Sequence, residues 1–358
     1  MSIIIAILAL CVIILIHEIG HFGAAKLFKM NAYQFNLGMG PILWKKKHKE
    51  TQYALRLLPI GGSVALGEDD VDISEDPNDF RNKPVWQRII VIAAGAFLNL
   101  VLGLILCIII NTVNPIASTI VSDYFDENSV SNTGVSALRG GDRIVKVNGM
   151  RIFSASEIFY KMDNSLTKEG DADGFAVYEF VVIRNGEKVT LPQVKFAAIP
   201  NERGGMDYVR DFYVKRADKN PLSVFDYSVR NAVGYGRIIW LSLIDIINGT
   251  YGLNEISGPV GIAGVVGEVT KQAVDFKELV MSILSLSALI TINLGMVNLL
   301  PIPALDGARI IFLTVEGIRR KPLNQHAEAI IHFVGFALLM VLILVVTFND
   351  IRKLVFGG

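Results

Sequence analysis

Cysteine is almost absent. The 358 residues contain two, Cys11 and Cys107, each inside an apolar segment. A thiol there behaves as a small hydrophobe, and no disulfide framework is expected. Net charge is absent as well: 34 Lys and Arg balance 34 Asp and Glu. Nothing global therefore draws the chain to nucleic acid or to an acidic surface. The amino terminus lacks the basic n-region and the small-x-small cleavage site of a signal peptide, so it is expected to be retained. Charge is also missing from Ile3 through Ile16, which reads as the first part of a transmembrane helix. What the chain has in plenty is apolar residue, 52% of the total. Its mean hydropathy of +0.46 exceeds that of an ordinary soluble protein and fits a partly membrane-embedded one.

The first helix carries ionisable groups in its second part, as Leu15-Ile16-His17-Glu18-Ile19-Gly20-His21. Two histidines four apart share one helix face and can bind a single metal ion. Glu18, next to the first, can serve as general base toward a water activated by that metal. At 1.5 Å of rise per residue, His17 lies about 21 Å along from Ile3, inside a hydrocarbon core about 30 Å thick. On a soluble helix the same spacing arises often by chance. In lipid, three polar side chains in one turn are costly enough to point to function.

Four spans are predicted, at about Ile3 to Leu27, Val85 to Ile110, Lys277 to Leu300 and Ala329 to Thr347. The first loop is basic, with Lys26, Lys29, Lys45, Lys46, Lys47, Lys49, Arg56, Arg81, Lys83 and Arg88. That marks its side as cytoplasmic. Within it, Gln52 to Leu66 reads as extended chain containing Gly61-Gly62-Ser63-Val64. This is either an ordinary surface hairpin or an edge strand reaching the metal motif, to which a substrate could add as a strand. The acidic patch Glu68-Asp69-Asp70-Val71-Asp72 reads as a solvated loop. In the second span, Ala93, Ala94, Gly95, Ala96 and Asn99 suggest tight helix packing, with Asn99 free to hydrogen-bond across it.

Residues 111–219 change to soluble character. Gly134 to Gly149 predicts a turn, the strand of Asp142-Arg143-Ile144-Val145-Lys146-Val147, and an Asn148-Gly149 turn. Ser154 to Met162 predicts a capped helix, and Tyr178 to Leu191 a hairpin around Asn185-Gly186. Pro221 to Thr250 is apolar, but Arg230, Arg237 and Asp245 favour a helix lying on the membrane surface.

The third span ends in Asn298-Leu299-Leu300-Pro301-Ile302-Pro303-Ala304-Leu305-Asp306-Gly307. Two prolines force extended chain, tolerated at membrane depth only inside protein or beside a wet cavity. Alone, Asp306 would read as a helix cap. Beside a helix that offers two imidazoles and lacks a third ligand, it reads as that ligand. Topology agrees if Pro221 to Thr250 does not cross, because Asp306 then shares the cytoplasmic side with His17 and His21.

Together these residues resemble the site-2 protease family of intramembrane zinc metalloproteases, peptidase family M50, in its bacterial branch. The resemblance covers nearly the whole chain. It rests on His17-Glu18-x-x-His21, the Gly61-Gly62 loop, the Gly-Asp-Arg-Ile run of a PDZ-like middle, Ser257-Gly258-Pro259-Val260-Gly261, and Asn298-x-x-Pro301-x-Pro303-x-Leu305-Asp306-Gly307. It implies Zn2+ as cofactor, with His17, His21 and Asp306 as its ligands and Glu18 as catalytic carboxylate. It implies substrate contacts from Asn298 and from the stretches holding Gly61, Gly62, Ser63, Val64, Pro301 and Pro303. Gly258-Pro259 reads as a turn near the site. The chain departs from the family in having room for one PDZ domain where enterobacterial members have two. Gly95-Ala96-Phe97-Leu98-Asn99 lacks the proline usual after its glycine.

The expected fold is thus an α-helical polytopic membrane protein with four transmembrane helices, a membrane-associated β loop and an inserted α+β PDZ domain. Its expected parts are 1–110, membrane core with the histidine helix and β loop; 111–219, extracytoplasmic PDZ-like domain; 220–275, amphipathic surface segment; and 276–358, membrane core with the Asn-Pro-Asp-Gly motif. Expected partners are single-span membrane proteins, the lipid bilayer and a peptide ligand of the PDZ domain, with no nucleic acid. A bacterial inner-membrane location follows from the resemblance. The alternatives are a PDZ scaffold without enzymatic activity and an intramembrane metal transporter.

Overall fold

The computed structural model describes residues 2–66, 76–126, 128–164, 174–200, 206–249 and 258–356. The acidic patch at Glu68 to Asp72, and Ser257, lie outside them. In chain order the elements are α1 (Ser2–Leu27), β1 (Gln34–His48), β2 (Thr51–Ala65), α2 (Val85–Val113) and β3 (Ala117–Phe125). Next come β4 (Arg143–Val147), β5 (Met150–Arg151), α3 (Ala155–Asp163), β6 (Phe175–Arg184), β7 (Glu187–Pro200), β8 (Met206–Tyr208) and β9 (Phe212–Arg216). The chain ends with α4 (Pro221–Ile247), α5 (Pro259–Gln272), α6 (Phe276–Asn298), α7 (Asp306–Arg319) and α8 (Gln325–Phe356). Two compact units result: Met1–Leu106 with Ile239–Gly358, and Cys107–Ile238.

Among the described residues, four helices are long and apolar enough to cross a membrane: Ile4–Leu27, Val85–Val113, Phe276–Asn298 and His326–Lys353. These are α1, α2, α6 and α8, and the protein is a multi-pass membrane protein. Cys11 and Cys107 are not joined in a disulfide.

In the first unit the helices pack through small residues, as is usual where lipid supplies no hydrophobic drive between them. A side chain at Gly20 would stand 2.8 Å from the Cα of Gly95, so the backbones of α1 and α2 touch there. The Thr291 hydroxyl of α6 donates to the Asn99 carbonyl of α2 at 3.2 Å. Arg88 of α2 donates to Glu316 of α7, tying that short helix to the bundle.

β1 and β2 form a folded sheet, because one segment of β1 pairs with two separate segments of β2. Gln34–Leu37 lies beside both Gln52–Leu55 and Gly62–Ala65, while Trp44–His48 pairs with Thr51–Leu55. Gly38, Gly40 and Gly61, all at positive φ, supply the bends. Gly62–Ala65 is thereby left at an edge, paired on one side among the described residues.

The Gly258-Pro259 turn does not lie near the histidines. Pro259 opens α5, and the backbone N–H groups of Gly258 and Gly261 donate to one Asp350 carboxylate oxygen of α8, at 2.9 and 2.8 Å. Asp350 is about 27 Å farther along α8 than His332, at 1.5 Å per residue. A carboxylate at a helix N-terminus satisfies orphan N–H groups and complements the dipole. Asp350→Asn is therefore expected to lower stability by on the order of 1 kcal/mol, checked by thermal unfolding of the purified protein. An unchanged midpoint would mean the turn holds by itself.

The second unit is α+β. Its sheet runs β8-β7-β6-β4-β3-β9, with β5 paired to β4. Tyr178, Phe180, Phe196, Ile144, Ile158 and Met162 form its core. The Asn148-Gly149 and Asn185-Gly186 turns take positive φ, as their type requires. Ser154 caps α3, and Glu157 accepts from the Ser154 backbone N–H at 2.9 Å. The buried Asp142 accepts two hydrogen bonds from Arg184, both at 2.8 Å, and one from the backbone of Arg139. That is what the Gly-Asp-Arg turn contributes: it locks β4 to β6.

Candidate active site

α1 delivers His17 and His21 to one face, one turn apart, and both are 7% exposed. His21 Nδ1 donates to the Val91 carbonyl of α2 at 2.9 Å. A carbonyl only accepts, so Nδ1 carries a proton, and in the neutral ring Nε2 keeps its lone pair. His17 Nε2 lies 3.1 Å from His21 Nε2.

The third member comes from the far end of the sequence. After α6 the chain turns through Pro301 to Leu305 and enters α7 at Asp306. Asp306 therefore sits in the first helical turn, where a carboxylate is favoured. The turn before it is strained: Ala304 has φ +77°. Its backbone N–H donates to His332 Nδ1 of α8 at 3.0 Å, which holds the turn in place. Asp306 Oδ2 then lies 3.1 Å from His17 Nε2 and 3.3 Å from His21 Nε2.

One ligand atom from each of the three lies within 4.8 Å of the others. Asp306 Oδ2 is buried and, among the described residues, has no hydrogen-bond partner. An orphaned carboxylate oxygen facing two imidazole nitrogens is a set that a cation completes, and its N/O composition fits zinc with one position left open.

These residues line a cavity of 330 Å³ with Glu18, Gly62, Ser63, Val64 and Asn298. Asn298 Nδ2 stands 3.4 Å from His17 Nε2. Gly62 is there for space: a Cβ would fall 2.7 Å from Glu18 Cγ and 3.3 Å from the Asn36 carbonyl. Ser63 is held by a hydrogen bond from Asn36 Nδ2 at 3.0 Å. Gly61, Pro301 and Pro303 do not line the cavity. Gly61 abuts Met39, and Pro303 packs where α8 has Gly335.

Three neighbours of the cluster have places beside it that the sequence reading does not assign. Arg309 lines the cavity from α7, and its i+3 spacing from Asp306 was a usable signal. His332 is a lone histidine within a predicted span, which intramembrane cost alone could have flagged. Gly95 lies against both imidazoles, where a Cβ would be 2.9 Å from His17 Cε1; the sequence marks it as a small helix-packing residue but not as the neighbour of these rings.

Apolar helices around a buried imidazole–imidazole–carboxylate cluster, with a second carboxylate at hand, define a metallopeptidase set in a membrane. The chain belongs to peptidase family M50, whose sequence model matches residues 5–342. A Clostridium acetobutylicum protein named provisionally as a zinc metalloprotease is 36% identical over 352 residues, covering 98% of this chain and 97% of that one. The regulator of sigma-W protease RasP of Bacillus subtilis is 28% identical over 424 residues, covering 96% of each. A zinc metalloprotease RasP of Shouchella clausii is 29% identical over 429 residues, covering 96% of this chain and 97% of its own length. Membership of a peptidase family sets aside the scaffold and transporter readings.

Proposed function

We propose that this zinc metalloprotease cuts single-span membrane proteins within or near their transmembrane segment, using His17, His21 and Asp306 to hold the metal and Glu18 to move the proton. The observation that carries this is the convergence of three ligand atoms, one of them an orphaned carboxylate oxygen, from a span and from a turn nearly 300 residues away. Bound there, zinc supplies Lewis-acid polarisation of the scissile carbonyl and lowers the pKa of water. Glu18 takes a proton from the attacking water and delivers it to the leaving amine. Asn298, beside His17, orients the substrate backbone at the cavity.

A helical substrate hides its peptide bonds, so it must be held extended. The unpaired side of Gly62–Ala65 supports strand addition for this. Ser63 and Val64 line the cavity at that edge; Gly61, Pro301 and Pro303 shape the backbone around it.

The second unit is a PDZ-like domain on the extracytoplasmic side of a bacterial cell membrane, and the cavity faces the cytoplasmic side. The basic residues between α1 and α2, and Arg319, Arg320 and Lys321 after α7, support that orientation. The parts are those outlined from the sequence: 1–110, 111–219, 220–275 and 276–358. The substrate class implied by the family resemblance is anti-sigma factors or remnant signal peptides, and the name of the Bacillus subtilis relative, a regulator of sigma-W, supports a link to sigma-factor control.

The ligand set is tested by metal analysis. The wild-type chain is expected to purify with one zinc, and Asp306→Asn to lose most of it, since a neutral amide is a poor zinc ligand. Wild-type stoichiometry in that variant removes Asp306 from the set.

A further inference from the structure

The helix that packs behind the two histidines presents one residue to each of them. Val91, Gly95 and Asn99 are spaced by four along α2 and so share a face. The Val91 carbonyl accepts from His21 Nδ1. Gly95 makes room for both rings. Asn99, 0% exposed, reaches His17: its Nδ2 lies 3.3 Å from His17 Nδ1, and its Oδ1 is buried without a hydrogen-bond partner among the described residues.

For His17 to ligate a metal through Nε2, the atom facing Asp306, its proton must sit on Nδ1. That N–H is buried and needs an acceptor. The amide nitrogen and oxygen of Asn99 exchange places by a half-turn that leaves the side chain's shape unchanged. The half-turn gives the Nδ1–H an acceptor and places the amide nitrogen where Oδ1 stood.

We propose that Asn99 is a positioning residue for the metal centre: in the metal-loaded state its Oδ1 accepts from His17 Nδ1–H, fixing the tautomer and the ring plane that present Nε2 to the metal. α2 then supplies the outer partner of both imidazoles, a backbone carbonyl for one and a side-chain amide for the other. The Thr291 hydroxyl, donating to the Asn99 carbonyl, holds the residue from behind. The inference rests on His17 being a metal ligand.

The test uses the full chain in detergent, stripped of metal and titrated with Co2+, read by its d–d absorption and by zinc competition. Asn99→Leu keeps the volume and removes the acceptor; it is expected to weaken Co2+ binding about 10–100-fold. Asn99→Asp keeps an acceptor and is expected to bind close to wild type. A residue that only packs α2 against α6 predicts the reverse order, because Leu packs well and a buried carboxylate does not. Wild-type affinity in a folded Asn99→Leu protein overturns the proposal. Should that variant not fold, Asn99→Asp decides: tight Co2+ binding supports the proposal, and its loss in a folded protein overturns it. His17→Ala separates the two levels. If it binds Co2+ like wild type, the ligand assignment itself fails; if it does not and Asn99→Leu does, only the role of Asn99 fails.

Discussion

Glu18→Gln is expected to lower cleavage of a membrane-anchored substrate by about 10²–10⁴-fold, the usual contribution of a positioned general base. Zinc content and thermal stability should stay near wild type. The side chain keeps its length and its packing against Gly62, and it lies beside the ligand cluster without belonging to it. What is lost is the ability to accept a proton, because an amide has no basic lone pair at neutral pH. The measurement is turnover of a purified single-span protein in detergent, with zinc determined on the same sample. Wild-type turnover would remove Glu18 from proton transfer. A loss of zinc together with turnover would make it a structural element of the metal site instead.

Gly95→Ala should be nearly as damaging, by a different route. The added methyl would press on the His21 ring at Nε2, lie 2.6 Å from His21 Cε1 and 2.9 Å from His17 Cε1. Such approaches are not tolerated, so something must move. α2 cannot back away without opening its contact with α1, since a Cβ at Gly20 would already meet the Gly95 Cα at 2.8 Å. The rings must therefore rotate out of the positions that converge on Asp306. Metal affinity should fall on the order of 100-fold, the upper end for disturbed support of metal-ligating histidines. Overpacking adds a stability cost of about 1–3 kcal/mol. Zinc competition and thermal unfolding read the two effects separately. A variant that keeps full zinc affinity would show that the rings have slack around this helix.

Both predictions concern residues whose visibility in the sequence differs sharply. Glu18 sits between two histidines in a recognisable spacing, and the uncharged run before it makes their cost in lipid obvious. Gly95 is one of several small residues in an apolar span, and nothing local separates it from those that only let helices approach. The same contrast applies to the last motif. Two prolines and an aspartate signalled a break in the third span, yet the αL backbone of Ala304 and its N–H bond to His332 depend on a later helix, which begins only at Gln325. Gly258-Pro259 was assigned to the wrong neighbourhood for the same reason. Its partner, Asp350, lies 92 positions away in the chain.

Periodicity, turn chemistry and the cost of charge in lipid were enough for the sequence alone to determine four apolar helices and an α+β middle with two Asn-Gly turns. The same three properties marked the paired histidines and the broken span ending at Asp306. All of them are local, written within a few residues of where they act. The tertiary structure alone decided which face of α2 stands behind the imidazoles, how β1 and β2 fold so that Gly62–Ala65 becomes an edge beside Glu18, and how α8 holds both the aspartate turn and the start of α5. Those facts depend on contacts between residues tens to hundreds of positions apart. Their geometry is set by backbone approach and packing, which leave no periodic mark in the sequence.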